Sequence, residues 1–121
     1  MKETYETGLN GERTAAEWLK TKYGMILVEN RYRNKAGEID LIMADGKTIV
    51  FVEVKTRMSG RPGNGLMAVD RKKQQRIGRT AVLYLISHGW QNRPVRFDVI
   101  EITKNDILYA PNAFQPGGMF Y

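Results

Sequence analysis

The chain contains no cysteine and only one histidine among its 121 residues. The lack of cysteine excludes disulfides, thiolate catalysis and structural zinc sites of the cysteine type. The single histidine, His88, also rules out most of the ligand sets that zinc hydrolases use. Any metal bound here would therefore be held largely by oxygen, which favours Mg²⁺ or Mn²⁺.

Long apolar runs are also missing. No stretch approaches the roughly 18 apolar residues that a membrane-spanning helix needs, and the polar residues 1–4 lack the apolar core of a signal peptide. We therefore expect a cytoplasmic protein with no membrane partner. The composition, 42% hydrophobic and 26% charged, is typical of one globular domain, which would span residues 1–121.

Acidic residues are fewer than basic ones, so that the formal net charge is +6 at pH 7. A basic excess favours a polyanionic partner such as nucleic acid. One basic cluster lies on a predicted helix and could bind phosphates or form a solvated face: Arg71, Lys72, Arg76 and Arg79. Four further arginines lie near a predicted hairpin and could extend the cluster: Arg31, Arg33, Arg57 and Arg61.

Turn signals and periodicity predict an α/β domain. A helix is predicted over about 5–23, ended by Gly24, and another over about 68–88, ended by Gly89. Strands are predicted at 25–28, at 37–43 and 50–57 on either side of a turn at 45–47, and at 95–102. The order α-β-β-β-α-β, with a further short strand from about 107 and a flexible tail from about 111, favours a mixed central sheet flanked by helices.

Ionisable residues interrupt the two strands of the hairpin, GEIDLI at 37–42 and FVEVKTR at 51–57. Side chains in a strand alternate between faces. Asp40 should therefore share a face with Glu38 and Ile42, and Glu53 should share one with Phe51 and Lys55. The opposite apolar sets should pack into the core: Ile39, Leu41 and Met43 on one strand, and Val50, Val52 and Val54 on the other.

If the hairpin keeps both apolar sets on one side, Asp40, Glu53 and Lys55 converge on the other. Two carboxylates and a lysine on rigid strands are the components of a metal-dependent phosphodiesterase. Asp40 and Glu53 would hold Mg²⁺, and Lys55 would orient or deprotonate a water or neutralise charge. A Glu-x-Lys pair is also common on a solvated strand with a cross-strand partner, so this pair alone does not decide between the readings.

Glu12 lies in a helical stripe that is otherwise apolar and contains Leu9, Ala16, Leu19 and Tyr23. Burying an unpaired carboxylate is costly. Glu12 could therefore complete the metal shell if the first helix packs beside the hairpin. Three further residues receive supporting roles: Lys73 and Gln74 as phosphate or water contacts, and Glu38 as a salt-bridge partner.

These residues and motifs resemble the YraN family of bacterial proteins, which is assigned to the restriction-endonuclease-like PD-(D/E)xK superfamily and is similar to archaeal Holliday junction resolvases. The resemblance covers nearly the whole chain. It includes Gly11-Glu12, the segment that begins at Asn30 and ends at Arg33, the helix at 73–85, RFDV at 96–99 and NAF at 112–114. Ile39 departs from the motif, which has proline there.

The resemblance implies a restriction-endonuclease-like fold and a metal-dependent endonuclease acting on DNA, including branched or structured DNA in repair or recombination. By position it implies Asp40, Glu53 and Glu12 as metal ligands and Lys55 as the catalytic lysine. Nucleic-acid contacts would come from Arg33, Arg57, Lys72, Lys73, Gln74 and Arg76. A homodimer is plausible, because a junction must be cut twice.

Two other interpretations stay open at this stage. The first is a nucleic-acid-binding module that keeps the nuclease fold without catalysis, for which EDTA would have little effect. The second is a protein-interaction domain whose basic face binds an acidic partner.

Overall fold

A computed structural model of the chain describes residues 2–57 and 69–120, with side chains from residue 10 onward. Its elements, in chain order, are α1 (Lys2–Tyr23), β1 (Ile26–Asn34), β2 (Gly37–Asp45), β3 (Thr48–Arg57), α2 (Arg71–His88), β4 (Val95–Thr103), β5 (Ile107–Phe114) and a 3₁₀ helix (Gly118–Phe120). This order confirms the predicted α/β class, including a fifth strand of eight residues.

The five strands form one mixed sheet in the order β1-β2-β3-β4-β5. β3 and β4 are parallel and are connected through α2, whereas the other neighbouring pairs are antiparallel. Parallel pairing brings the carboxyl ends of β3 and β4 to the same edge of the sheet. That edge carries Lys55 and Arg57 beside Glu101 and Thr103.

The helix ends follow local capping chemistry. Gly24 ends α1 at a φ of 72°, and its amide donates to the Lys20 carbonyl at 2.9 Å. Gly89 ends α2 at a φ of 68°, as predicted. The predicted start of α2 at residue 68 is wrong, because the carboxylate of Asp70 accepts the Lys73 amide at 2.8 Å and caps a helix that begins at Arg71. α1 begins earlier than predicted, at Lys2.

Both faces of the sheet are buried, one under each helix. The cluster under α2 contains Ile39, Ile42, Ile49, Phe51, Phe97 and Val99 with Ile77, Ala81, Tyr84 and Leu85 of the helix. The cluster under α1 contains Leu41, Met43, Val50, Val52, Ile100 and Ile102 with Ala15, Ala16 and Leu19. None of the helices in the described part of the chain is long and apolar enough to cross a membrane.

Two predictions about the core are wrong. Ile39 was expected on the face of Leu41 and Met43, but it packs in the cluster under α2, whereas they pack under α1. The strict alternation of β2 is therefore interrupted at Asp40. Tyr23, expected on the buried stripe of α1, is 47% exposed, and it is the last residue of the helix, just before the connection to β1.

The edge strand β5 is fixed to β4 by a buried polar network around Asp98. Asp98 is fully buried and accepts hydrogen bonds from the Tyr109 hydroxyl, the Asn112 amide and the Arg96 guanidinium. Asn112 has a φ of 51°, at a register shift between the two strands. The carboxylate thus accepts a hydrogen bond from a backbone amide that has no partner in the irregular pairing of the two strands.

The residues after β5 return to α2. Pro116 is buried, and a Cβ added at Gly78 of α2 would lie 2.6 Å from the Pro116 Cβ. The Phe120 ring packs edge-to-face against Phe97 with centroids 4.9 Å apart. The tail flexibility expected from about residue 111 stays a prediction.

We expect Asp98→Ala to lower the free energy of unfolding by about 3–5 kcal/mol, because it leaves the buried partners of a charge network without an acceptor. Urea denaturation followed by circular dichroism measures the change. Asp106→Ala, which removes an exposed carboxylate, should shift stability by less than about 0.5 kcal/mol. Equal losses in the two variants would contradict the assigned role of Asp98.

Candidate active site

The candidate site lies where β2 and β3 separate. Their backbone pairing ends at Leu41 and Val52. One residue before Leu41, the Asp40 carboxylate accepts the Val54 amide at 2.9 Å, in place of a backbone carbonyl. The Asp40 side chain is thereby fixed at the opening between the two strands.

Glu53 and Lys55 lie on the α2 side of β3, as the alternation with Phe51 predicted. Glu53 is buried, with 7% of its side chain exposed. Its Oε1 is 2.7 Å from the Nζ of Lys73 in α2 and 3.6 Å from the Nζ of Lys55. Glu53 therefore joins a lysine of its own strand to a lysine of the helix above it.

Glu12 reaches the site from the opposite side of the sheet. A Cβ built at Gly11 would lie 2.2 Å from the Thr56 Oγ1, so only glycine allows α1 to approach β3 this closely. Glu12, the next residue, is buried, and its Oε1 is 2.9 Å from the Nε of Arg31. The structure thus brings Glu12, Asp40, Glu53 and Lys55 to one region, as the sequence predicted.

Arg31 and Asp40 share an irregular rung of the sheet. In register, Asn30 pairs with Leu41 and Tyr32 with Ile39, so that Arg31 and Asp40 fall between these two pairs. Arg31 has a φ of 49°, which is uncommon for a residue other than glycine. The face to which side chains point changes on both strands at this rung, which explains the position of Ile39.

Burial and the nearby carboxylate of Glu53 raise the pKa of Asp40 from 3.8 to about 7, and the Glu12 carboxylate contributes in the same direction. Burial also raises the pKa of Glu12, although Arg31 opposes this effect. The three carboxylates are therefore close enough to repel one another. Such a surplus of negative charge favours a cation.

The two lysines differ in how firmly they hold a proton. Burial and then the neighbouring Lys73 lower the pKa of Lys55. For Lys73, burial also acts to lower the pKa, but the hydrogen bonds with Glu53 and Lys55 and the charges of Glu53 and Asp40 together raise it. Lys73 is therefore the stable cation of the pair, and Lys55 is the lysine that more easily releases its proton.

The donor chemistry suits a hard divalent cation in part. Mg²⁺ usually takes one or two protein carboxylates together with water and phosphate oxygens, and Asp40 and Glu53 provide two. Over residues 2–57 and 69–120, however, no three His, Cys, Asp or Glu side chains are grouped as a metal-binding cluster. Glu12 lies in the same region, but its carboxylate is paired with Arg31 and does not form such a cluster with Asp40 and Glu53.

The residues predicted to contact nucleic acid differ in their surroundings. Lys73 reaches the site, but Gln74 does not, because its Nε2 donates to the Val69 carbonyl at the start of α2. Lys72 and Arg76 are exposed on α2. Arg33 pairs with Glu38 at 2.7 Å, the supporting salt bridge predicted for Glu38.

Sequence reasoning missed Glu101 and the role of Arg31. Glu101 is fully buried, lies beside Lys55 across the parallel β3–β4 pairing, and is 3.7 Å from the Nε of Arg57. Its signal was the stripe Phe97-Val99-Glu101, which ends in a carboxylate. Arg31 gave no such signal, because its contact with Glu12 depends on an unusual backbone conformation.

We expect the stability of the protein to fall between about pH 4 and 7 through Asp40. The pKa of Asp40 is higher in the folded state than in the unfolded state, so the folded state binds more protons in this interval, and deprotonation as pH rises favours unfolding. Asp40→Asn removes this dependence and can still accept the Val54 amide. It should be more stable than the unsubstituted protein by roughly 1–3 kcal/mol at pH 8 and by little at pH 4.

Urea denaturation at several pH values measures this difference. Asp106→Asn, at an exposed carboxylate, should give a curve parallel to that of the unsubstituted protein. A difference between Asp40→Asn and the unsubstituted protein that does not change with pH would refute the raised pKa of Asp40.

Comparison with known proteins identifies relatives along the whole chain. Residues 11–102 match the model of the uncharacterised protein family UPF0102. A UPF0102 protein of Stutzerimonas stutzeri is 39% identical over 120 residues, covering 95% of this chain and 99% of the relative. One from Thermodesulfovibrio yellowstonii is 43% identical over 109 residues, covering 90% and 96%. This chain therefore belongs to the UPF0102 family, the YraN family that its motifs resemble.

Proposed function

We propose that this protein is a divalent-metal-dependent nuclease that hydrolyses phosphodiester bonds in DNA, including branched or structured DNA in repair or recombination. One observation carries the proposal. Asp40, Glu53 and Lys55 meet where β2 and β3 separate, and burial together with repulsion from the Glu53 carboxylate shifts the pKa of Asp40 to about 7. Strongly perturbed groups that cluster in this way are characteristic of functional sites.

Asp40 and Glu53 would hold the Mg²⁺ or Mn²⁺, and Glu12 would assist from α1. A bound divalent cation would supply positive charge that stabilises the phosphate in the transition state. The three carboxylates raise one another's affinity for any cation, and Asp40 must be deprotonated to contribute its charge. The Val54 amide keeps the Asp40 carboxylate oriented in the absence of other ligands.

Lys55 would orient the attacking water and accept its proton. A general base works best when its pKa lies near the working pH, and burial together with Lys73 moves the pKa of Lys55 downward, toward that range. Lys73 stays charged because it is hydrogen-bonded to Glu53. Its ammonium group would neutralise negative charge that develops on the phosphate.

DNA would lie across the exposed basic side chains around the site. Lys72 and Arg76 of α2 and Arg33 of β1 are exposed, and Arg57 lies at the end of β3. Such residues hold phosphates without reading sequence. A cytoplasmic location and a homodimer, which would allow two cuts in one junction, belong to the same proposal.

A second candidate is a nucleic-acid-binding module without catalysis. The observation that favours it is the pairing of carboxylates with cations of the chain itself, Glu12 with Arg31 and Glu53 with Lys73. These pairs compensate buried charge without a metal. In this case the surface would bind DNA, and the carboxylates would have a structural role.

A cleavage assay separates the two candidates. Labelled single-stranded, duplex, flap and four-way-junction DNA is incubated with Mg²⁺, Mn²⁺ or EDTA. We expect metal-dependent cleavage that falls by about 100-fold or more in Asp40→Asn and Lys55→Met, while DNA binding, measured by fluorescence anisotropy, is retained. Removing the charge from the metal ligand or removing the base affects the reaction and leaves the basic surface intact.

Glu17→Gln is the matched control, because Glu17 is an exposed carboxylate of α1 five residues from the buried Glu12. It should cleave like the unsubstituted protein, whereas Glu12→Gln should cleave less. Full cleavage by Asp40→Asn would show that the catalytic site lies elsewhere. Binding without products on every substrate would support the binding module.

A further inference from the structure

An open groove of about 580 Å³ runs along α1 on the flank opposite Glu12. Its walls are Thr14, Trp18 and Lys22 of α1 and the turn between β4 and β5, residues 103–107. Thr103 lies beside Arg57 in the parallel pairing. The groove therefore begins at the same edge of the sheet as the candidate active site. It lies on one flank of α1, and Glu12 lies on the other.

Trp18 supplies an aromatic surface at the centre of this groove. Its ring is half-buried and packs edge-to-face against Tyr23 and Tyr109, with centroids 5.6 and 5.5 Å away. These two contacts hold the orientation of the indole. The Nζ of Lys22 lies 5.7 Å from the Trp18 ring centroid, over its face. Trp18 packs against the core under α1 and stays partly exposed, and its ring already receives a cation.

The charge of the groove favours an anionic ligand. Lys22 and Lys104 lie on its two walls, against the single carboxylate of Asp106 among its lining residues. The turn that carries Lys104 is closed by hydrogen bonds in both directions, from the Thr103 amide to the Asp106 carbonyl and from the Asp106 amide to the Thr103 Oγ1, each 2.9 Å long. The groove is thus preformed on one side by a helix and on the other by a fixed turn.

We propose that this groove binds a single-stranded stretch of nucleic acid, with a base stacked on Trp18 and the flanking phosphates on Lys22 and Lys104. A base in a duplex has its faces covered by its neighbours, so only an unpaired strand can use the indole in this way. Stacking on an aromatic side chain contributes more than an exposed cation–π contact does. Exchanging the Lys22 contact for a stacked base is therefore favourable, and the displaced ammonium group can bind a phosphate.

This inference deepens the proposed function, because it names a substrate that carries single-stranded DNA beside the cleaved position. It rests on the proposed nucleic-acid role but not on catalysis. The groove would receive an unpaired arm while the basic face of α2 contacts the paired part. Such an arrangement would favour flaps, gaps and opened junctions over intact duplex.

Tryptophan fluorescence gives a local test, since the chain has only two tryptophans. In Trp90→Phe, Trp18 is the single tryptophan. We expect its emission to be quenched on titration with a short oligothymidylate in EDTA, and to change little with a blunt duplex at the same phosphate concentration. The reciprocal protein, Trp18→Phe, should respond to neither, because Trp90 packs against the cluster under α2, on the other side of the sheet from the groove.

Affinity for the oligothymidylate, measured by anisotropy, provides the second readout. Trp18→Leu should weaken binding by about 5- to 100-fold, the loss of one stacked base, with duplex binding unchanged. Lys104→Gln, on the exposed turn, should reduce the slope of log affinity against log salt by about 0.7, the effect of one phosphate contact on a single strand. Lys20→Gln, an exposed lysine of α1 outside the groove, should leave that slope unchanged.

Binding of the oligothymidylate without quenching of Trp18 would overturn the proposal, and so would equal quenching by the duplex or an unchanged affinity and salt slope in Trp18→Leu and Lys104→Gln. Thermal unfolding of each variant separates lost binding from lost folding, and Lys104→Gln tests the groove even if Trp18→Leu does not fold. Quenching without cleavage would contradict the nuclease alone, whereas cleavage without quenching would contradict the groove alone.

Discussion

The Glu53 carboxylate is the charge around which the candidate site is organised. It lies on the central strand under α2, and a carboxylate in such a position is stable only with a cation close by. Lys73 provides that cation at 2.7 Å and thereby fixes the start of α2 over the end of β3. The same contact holds Lys73 beside Lys55, and burial together with this neighbouring lysine lowers the pKa of Lys55. One buried charge thus links the position of a helix to the protonation of the residue proposed as the base.

A second constraint is the irregular rung formed by Arg31 and Asp40. A left-handed backbone at a residue other than glycine costs about 1–3 kcal/mol, and the conformation of Arg31 must be compensated by its surroundings. The contact with Glu12 supplies part of this compensation, because it pairs a buried carboxylate. On the facing strand, Asp40 turns toward the Val54 amide. The irregularity therefore opens the sheet at the point where the carboxylates meet.

The two flanks of α1 contribute to different proposed sites. Gly11 allows α1 to lie directly against Thr56 of β3, so that one flank of the helix presents Glu12 to the carboxylates and the other presents Trp18 to the groove. Trp18 follows Glu12 by six positions, which corresponds to about 9 Å along the helix axis. A nucleic acid that contacts both would cross the edge of the sheet at the ends of β3 and β4.

The sequence determined the element order and most of the core, because periodicity, the glycines that end the helices and the turn at 45–47 are local signals. It also predicted that Glu12, Asp40, Glu53 and Lys55 would lie close together, since a charge within an apolar pattern is visible without coordinates. Tertiary structure decided the rest. The face of Ile39 depends on a backbone irregularity shared by two strands, the burial of Glu101 depends on parallel pairing across a long connection, and the partners of Glu12 and Glu53 come from residues distant in sequence. Such contacts arise only when the helices pack on the sheet, and for that reason no pattern within one segment could have predicted them.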